Sequence, residues 1–167
     1  MAKKGACCWF IFCSDHWLFP QGKLGPYTAL SAYHIPIIIY QPWANEKKTV
    51  TKLASQFDVA ATILALAGYG DSIITYGNNL SDSLALNNCI FSRSGNTLYQ
   101  VTDSSYILGF NQVTNKAEFL YNYKKDIQLT QNLCKDKKSC TIQNKLLLQI
   151  RAFLQKANLQ YNGNEFK

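Results

Sequence analysis

The chain has 167 residues, of which 47% are apolar, 13% aromatic and only 16% charged, against roughly 25% charged in an ordinary soluble domain. This composition excludes a disordered segment and a solvated coiled coil, and it supplies the core of one domain or of a large piece of one. The net charge of +7 favours anionic partners such as lipid headgroups or phosphate esters.

The longest apolar run, Ala6 to Cys13, is too short to cross a bilayer, which takes roughly 20 residues. Lys3 and Lys4 precede it, but Ser14-Asp15-His16 follow at once with no small-residue cleavage site. The run is therefore a poor signal peptide, and the sequence read by itself would stay in the cytoplasm. The six cysteines show no paired zinc-ligand spacing. Cys134 and Cys140 flank a polar loop and fit either a disulfide in an oxidising compartment or two free thiols.

In chain order, Ala6 to Cys13 is a continuous run of β-formers and reads as a fully buried strand of a parallel sheet. Residues 18 to 34 form an irregular loop broken by Pro20, Gly22, Gly25 and Pro26. Ile35 to Tyr40 is a second buried strand, with Pro36 near its start where a missing donor costs least. A surface turn over 41 to 48 leads to a helix. Asp58 is its best N-cap, Ala61, Leu64 and Ala67 belong to its apolar face, and Gly68 is placed to end it in a left-handed conformation. Ser55-x-x-Asp58 offers an earlier start.

The pattern changes after about residue 85. Asn88 to Arg93, Thr97 to Thr102, Tyr106 to Phe110 and Glu118 to Tyr123 are short β-type runs separated by turn residues, the spacing of an antiparallel meander. A polar loop from Lys124 to Lys138 precedes a helix from about Thr141 to Leu159. Leu146, Leu147, Ile150, Phe153, Leu154 and Ala157 give that helix an apolar stripe for docking against the sheet.

The chemistry concentrates at Asp15 and His16. Ionisable residues just past the carboxyl end of a buried strand sit where open α/β sheets hold their ligands. A carboxylate and an imidazole together suit manganese or zinc better than calcium. Two ligands are too few for a tight site, so others must come from elsewhere. No glycine-flanked nucleophile and no phosphate-cradling loop is present. Tyr27, Tyr33, Tyr40 and Trp43 have no basic residues interleaved with them, so nucleic acid is not expected as a partner.

Four stretches in order carry a resemblance. They are Phe10-Ile-Phe-Cys-Ser-Asp15-His16, then Tyr33-His-Ile-Pro36-Ile-Ile-Ile-Tyr-Gln-Pro42, then Ala54 to Gly68 followed by Tyr76-Gly77-Asn-Asn-Leu80, and last Tyr121-Asn-Tyr-Lys-Lys-Asp126 with Asn132-Leu133. Together they resemble the C-terminal part of sulfatase-like enzymes of the alkaline phosphatase superfamily, nearest the lipoteichoic-acid synthase and phosphoglycerol transferase branch. The resemblance implies an α/β fold in two parts. Residues 1–85 would be the C-terminal portion of a sandwich with a mostly parallel central sheet and flanking helices. Residues 86–167 would be a small antiparallel sheet with a C-terminal helix.

It also implies that Asp15 and His16 ligate a divalent metal, typically manganese, with zinc, magnesium or calcium as alternatives. The substrate class would be phosphoglycerol or phosphoethanolamine-type headgroups, or sulfate esters in the sulfatase branch. Lys23 lies in the loop where sulfatases carry a substrate-contacting lysine, although its spacing to Pro36 differs. Asp58 and Thr62 would be structural, and Ala61 stands where the family has proline. The threonine nucleophile, the remaining metal ligands and a membrane anchor that holds the catalytic domain outside the cytoplasmic membrane lie in the family's N-terminal half. The expectation is therefore a fragment that is catalytically incomplete by itself, a non-catalytic remnant or an interaction module.

Overall fold

The structure is a computed structural model, and it describes residues 8–14, 35–45, 47, 49, 51–82 and 89–163. Six strands and two α-helices are ordered along them: β1 (Phe10–Cys13), β2 (Ile37–Tyr40), α1 (Phe57–Leu66), β3 (Ile90–Ser94), β4 (Leu98–Thr102), β5 (Tyr106–Asn111), β6 (Lys116–Asn122) and α2 (Cys140–Gly163). Two 3-10 turns, Leu133–Lys135 and Lys137–Ser139, lead into α2.

The meander forms as the sequence predicts, in the order β3-β4-β5-β6 with every neighbour antiparallel. Its turns follow from local chemistry. Gly95 takes a positive φ of 69° between β3 and β4, a conformation that glycine adopts without steric cost. Between β4 and β5 the Asp103 carboxylate accepts the backbone N–H groups of Ser105 and Tyr106, an Asx-type turn.

The register aligns Val101 of β4 with Leu108 of β5, and Leu108 with Leu120 of β6. This apolar row is fully buried, and Leu146 and Ile150 of α2 close over it. Each such side chain contributes about 1.5–3 kcal/mol, so this row with α2 is the energetic centre of the chain. A Cβ on Gly109 would collide with the Phe119 ring across the strand pair, which is why β5 carries a glycine there.

β1 and β2 are present, but they correct the expectation of buried parallel strands. They pair antiparallel, with Phe10 opposite Tyr40 and Cys13 opposite Ile37. Phe10, Phe12, Ile38 and Tyr40 on one face are exposed, and on the other Ile11, Ile37 and Ile39 are only half-buried and Cys13 is exposed. An apolar run specifies β-structure without specifying direction. The long connection between the two strands does not impose a parallel crossover, and an antiparallel pair has the better-aligned hydrogen bonds.

α1 also starts differently. Asp58 is not the N-cap but a buried residue inside the first turn. Nor does the helix start at Ser55: its N-cap is Gln56, with no side-chain cap bond, and of the Ser55-x-x-Asp58 arrangement only the reach of the Asp58 carboxylate back to the Ser55 N–H is formed, at 2.7 Å. Its C-terminus is as expected. Gly68 sits at φ 76°, while the N–H groups of Gly68 and Tyr69 bond the carbonyls of Ala65 and Leu64, the paired bonds of a Schellman end.

A run of rings joins the first half of the chain to the second. Phe57 of α1 meets Tyr76 edge-on, Tyr76 meets Phe153 of α2, and Phe153 stacks on Phe91 of β3 at 4.1 Å between centroids.

Candidate functional site

The candidate site is the carboxyl end of β1. The strand closes at Cys13, and Ser14 continues the chain to the Asp15-His16 pair. Asp15, His16 and Lys23, the three expected site residues, lie outside the described residues, as do both histidines of the chain. What the structure places is the ground around them. The Ser14 carbonyl accepts a hydrogen bond of 2.8 Å from the side-chain amide of Gln56, immediately before α1. The strand end is therefore held against the amino end of α1, whose dipole favours negative charge. Sequence reading missed Gln56. Its only signal was its place one turn before the buried core of the helix, and glutamine has no capping preference to flag it.

Asp58 is the nearest described carboxylate along the chain, and it is not offered to a cation. One oxygen accepts the Ser55 N–H and the other the Asn78 N–H, each at 2.7 Å. Thr62 completes the arrangement. Its hydroxyl donates to the Asp58 carbonyl at 2.6 Å and accepts the Leu80 N–H at 2.9 Å. The two side chains clip the 76–80 segment onto α1, in the structural role expected for them, although neither acts as a helix cap. Gly77 belongs to the same device. Any Cβ there would occupy the Phe57 carbonyl, so only glycine lets the segment lie this close.

The tail stretch is likewise a scaffold. Asn132 accepts the N–H groups of Leu120 and Cys134 and donates to the Glu118 carbonyl. It thereby fastens the first 3-10 turn to the edge of β6. Asp126 receives the N–H groups of Thr130 and Gln131 at 2.7 Å. Cys134 and Cys140 are both free thiols, the first half-buried against the core and the second exposed at the start of α2.

Among the described residues no three His, Cys, Asp or Glu side chains come together to hold a metal ion. Nor is any described helix long and apolar enough to cross a membrane.

The fold has counterparts among solved structures. A candidate sulfatase from Bacteroides thetaiotaomicron VPI-5482 matches 93% of this chain with a TM-score of 0.69 and 21% identity. A 2-O GAG sulfatase matches 93% of it with a TM-score of 0.68 and 20% identity. The chain spans 38% of the length of each. No family profile and no curated protein sequence matches it. The likeness is one of fold: over nearly its whole length this chain is built as part of a sulfatase-like α/β structure.

Proposed function

We propose that this chain is the C-terminal part of a sulfatase-like, metal-dependent enzyme, with Asp15 and His16 as two ligands of its catalytic metal. The observation that carries the reading is the Asp-His pair directly after β1, in a fold shared with sulfatases over 93% of the chain. A bound divalent ion would act there as a Lewis acid on a phosphoryl or sulfuryl oxygen. Histidine in the pair favours a transition metal over magnesium or calcium, and among transition metals the resemblance to the transferase branch points to manganese ahead of zinc. On that ground a phosphoglycerol transferase or phosphoesterase on anionic headgroups is the first reading, and Lys23 is its candidate anion contact. The enzyme would then work at the outer face of the cytoplasmic membrane. The 2-O GAG sulfatase among the matching structures favours a second reading, hydrolysis of sulfate esters. A third reading is that this chain alone is a non-catalytic module, since the span it shares with each matching structure is 38% of that structure's length.

The test is made on a longer version that restores the rest of the sandwich. That protein should require a divalent ion and cleave a phosphodiester such as bis-p-nitrophenyl phosphate faster than p-nitrophenyl sulfate. Asp15→Ala and His16→Ala should each abolish turnover while the thermal transition persists. Full activity in both variants would remove the metal-site assignment, and a preference for the sulfate ester would select the second reading. The 167-residue chain alone should turn over neither ester.

A further inference from the structure

The net charge of +7 is unevenly placed along the chain. Residues 124–145 hold six lysines and two aspartates, a net +4, and the rest of the chain carries only +3. The six, Lys124, Lys125, Lys135, Lys137, Lys138 and Lys145, are all exposed. The two aspartates are engaged with other groups. Asp126 accepts the N–H groups of Thr130 and Gln131, and Asp136 accepts the Lys138 N–H and the Ser139 hydroxyl. Among the described residues none of the six ammonium groups forms an ion pair.

The fold gathers these lysines at one end of the meander. That end is made by the start of β3, the β4–β5 turn and the close of β6, since Ile90 is level with Thr102 and Tyr106 with Asn122. The Tyr123 hydroxyl donates to the Asp103 carbonyl there, and Lys124 lies over the Tyr123 ring, 5.5 Å from its centroid. Burial pushes the Cys89 thiol up, and Asp103 and Lys145 act on it in opposite senses, so Lys145 stands at this end as well. The two 3-10 turns that carry Lys135, Lys137 and Lys138 lead into α2 here. The helix then runs toward the opposite end, where Arg151 donates to the Asn115 carbonyl of the β5–β6 turn.

An aliphatic side chain stands beside them. Ile127 is 56% exposed and follows Lys125 by two residues. The loop that carries it is ordered by its own bonds. Asp126 ties down Thr130 and Gln131 through its carboxylate and Leu129 through its carbonyl. Leu129 takes a positive φ of 54°, a conformation that costs a residue with a Cβ free energy. A loop fixed in this way keeps Ile127 at the surface next to Lys124 and Lys125.

We propose that this end of the meander is a peripheral binding surface for an anionic lipid bilayer, with the lysines on headgroup phosphates and Ile127 at the boundary between headgroups and acyl chains. The inference stands independently of the enzymatic reading. A lysine cluster of this size is drawn to an anionic bilayer by the sum of its charges, and an aliphatic residue beside it adds area that leaves water. The pairing of charge with an exposed aliphatic side chain selects a bilayer over other polyanions. A nucleic acid is held by bases stacking on rings, and Tyr123, the ring in contact with these lysines, is half-buried and covered by Lys124. A soluble polyanion gains nothing from Ile127.

The test is sedimentation of the 167-residue chain with vesicles of phosphatidylcholine containing about one-third phosphatidylglycerol, and with vesicles of phosphatidylcholine alone. The chain should bind the first, more weakly as salt rises, and not the second. Lys125→Gln and Lys138→Gln should each weaken binding about fivefold, and Ile127→Ser roughly tenfold. Lys116→Gln and Val113→Ser, at exposed positions of the opposite end of the meander, should leave it nearly unchanged. The far-UV signal of α2 reports whether each variant keeps its fold. No binding to the phosphatidylglycerol vesicles overturns the proposal, and so does equal binding to phosphatidylcholine alone. Equal weakening by Lys116→Gln also overturns it, because the attraction would then belong to the whole chain. If Ile127→Ser binds the vesicles as the parent does, the bilayer assignment fails, and binding to polyglutamate with the same lysine dependence would make a soluble polyanion the occupant.

Discussion

Removing the Asp58 carboxylate should release the 76–80 segment from α1 and leave the meander untouched. Asp58 is 1% exposed, and its two oxygens hold the Ser55 and Asn78 N–H groups. A hydrogen bond to a charged acceptor contributes about 1.5–3 kcal/mol. The flanking backbone is partly open to water, so each amide recovers part of that loss. Asp58→Ala is therefore expected to cost about 2–4 kcal/mol locally. The informative probe is the amide of Leu80. Its acceptor, the Thr62 hydroxyl, is untouched by the substitution, so it reports release of the whole segment rather than the deletion of one bond. In amide exchange of the 167-residue chain, Leu80 should speed up about 30- to 700-fold, at tenfold per 1.4 kcal/mol. Leu108 and Leu120 amides should not change. Asp58→Asn keeps one carbonyl oxygen and should give about half the free-energy change. Unchanged exchange at Leu80 would refute the clip. Equal acceleration in the sheet would refute its independence from the core.

Gly77→Ala should be worse than its single methyl suggests, costing about 1–3 kcal/mol of the same local protection. Gly70→Ala, with nothing near its added Cβ, should stay within about 0.5 kcal/mol; equal effects would show that the close approach of Gly77 to Phe57 is unimportant. Alkylation at neutral pH, read by mass spectrometry, should modify the exposed Cys8, Cys13 and Cys140 before Cys89 and Cys134. Burial pushes both of the latter thiols up, with Asp103 adding to the effect at Cys89 against the pull of Lys145; early loss of Cys89 would contradict this. The N–H groups of Gln131, then Thr130, hold the Asp126 carboxyl below its ordinary range. A depressed folded-state value means that the turn gains stability above the unfolded pKa of about 3.9 and loses it as the pH falls through the folded value. Titration of the Gln131 amide shift should show a midpoint below that ordinary value, and a midpoint at or above it would overturn the sign.

The second half of the fold is legible in the sequence because its signals are local. Alternation and turn residues set the strands of the meander to within a few residues, and the stripe through Leu146 and Ile150 makes α2 dock where it does. The first half is legible only as elements. Phe-Ile-Phe-Cys must be a strand, but its partner, direction and cover depend on contacts distant in sequence. Neither parallel pairing nor full burial follows from the apolar run alone. The start of α1 turns on a competition that propensity alone does not resolve: Asp58 can cap with its side chain or be buried and bind two amides. Burial prevails because the 76–80 segment supplies the second donor and the lid at once.

The stretches that carry the family likeness divide by what they do. Asp58, Thr62 and Gly77 fasten a segment to a helix, and Asp126 and Asn132 order a turn and fasten it to a strand edge. Each meets a backbone donor or a backbone surface, an accounting every folded chain must complete whatever it catalyses. Their agreement with a sulfatase-like pattern is thus evidence about architecture, and the structural matches at 20–21% identity speak to that same level. Asp15 and His16, the proposed metal ligands, follow in sequence the Ser14 carbonyl that the Gln56 amide holds. A sequence could keep the whole scaffold and lose the enzyme by changing two residues. That makes Asp15 and His16, rather than the longer helix stretch, the place where the functional reading stands or falls.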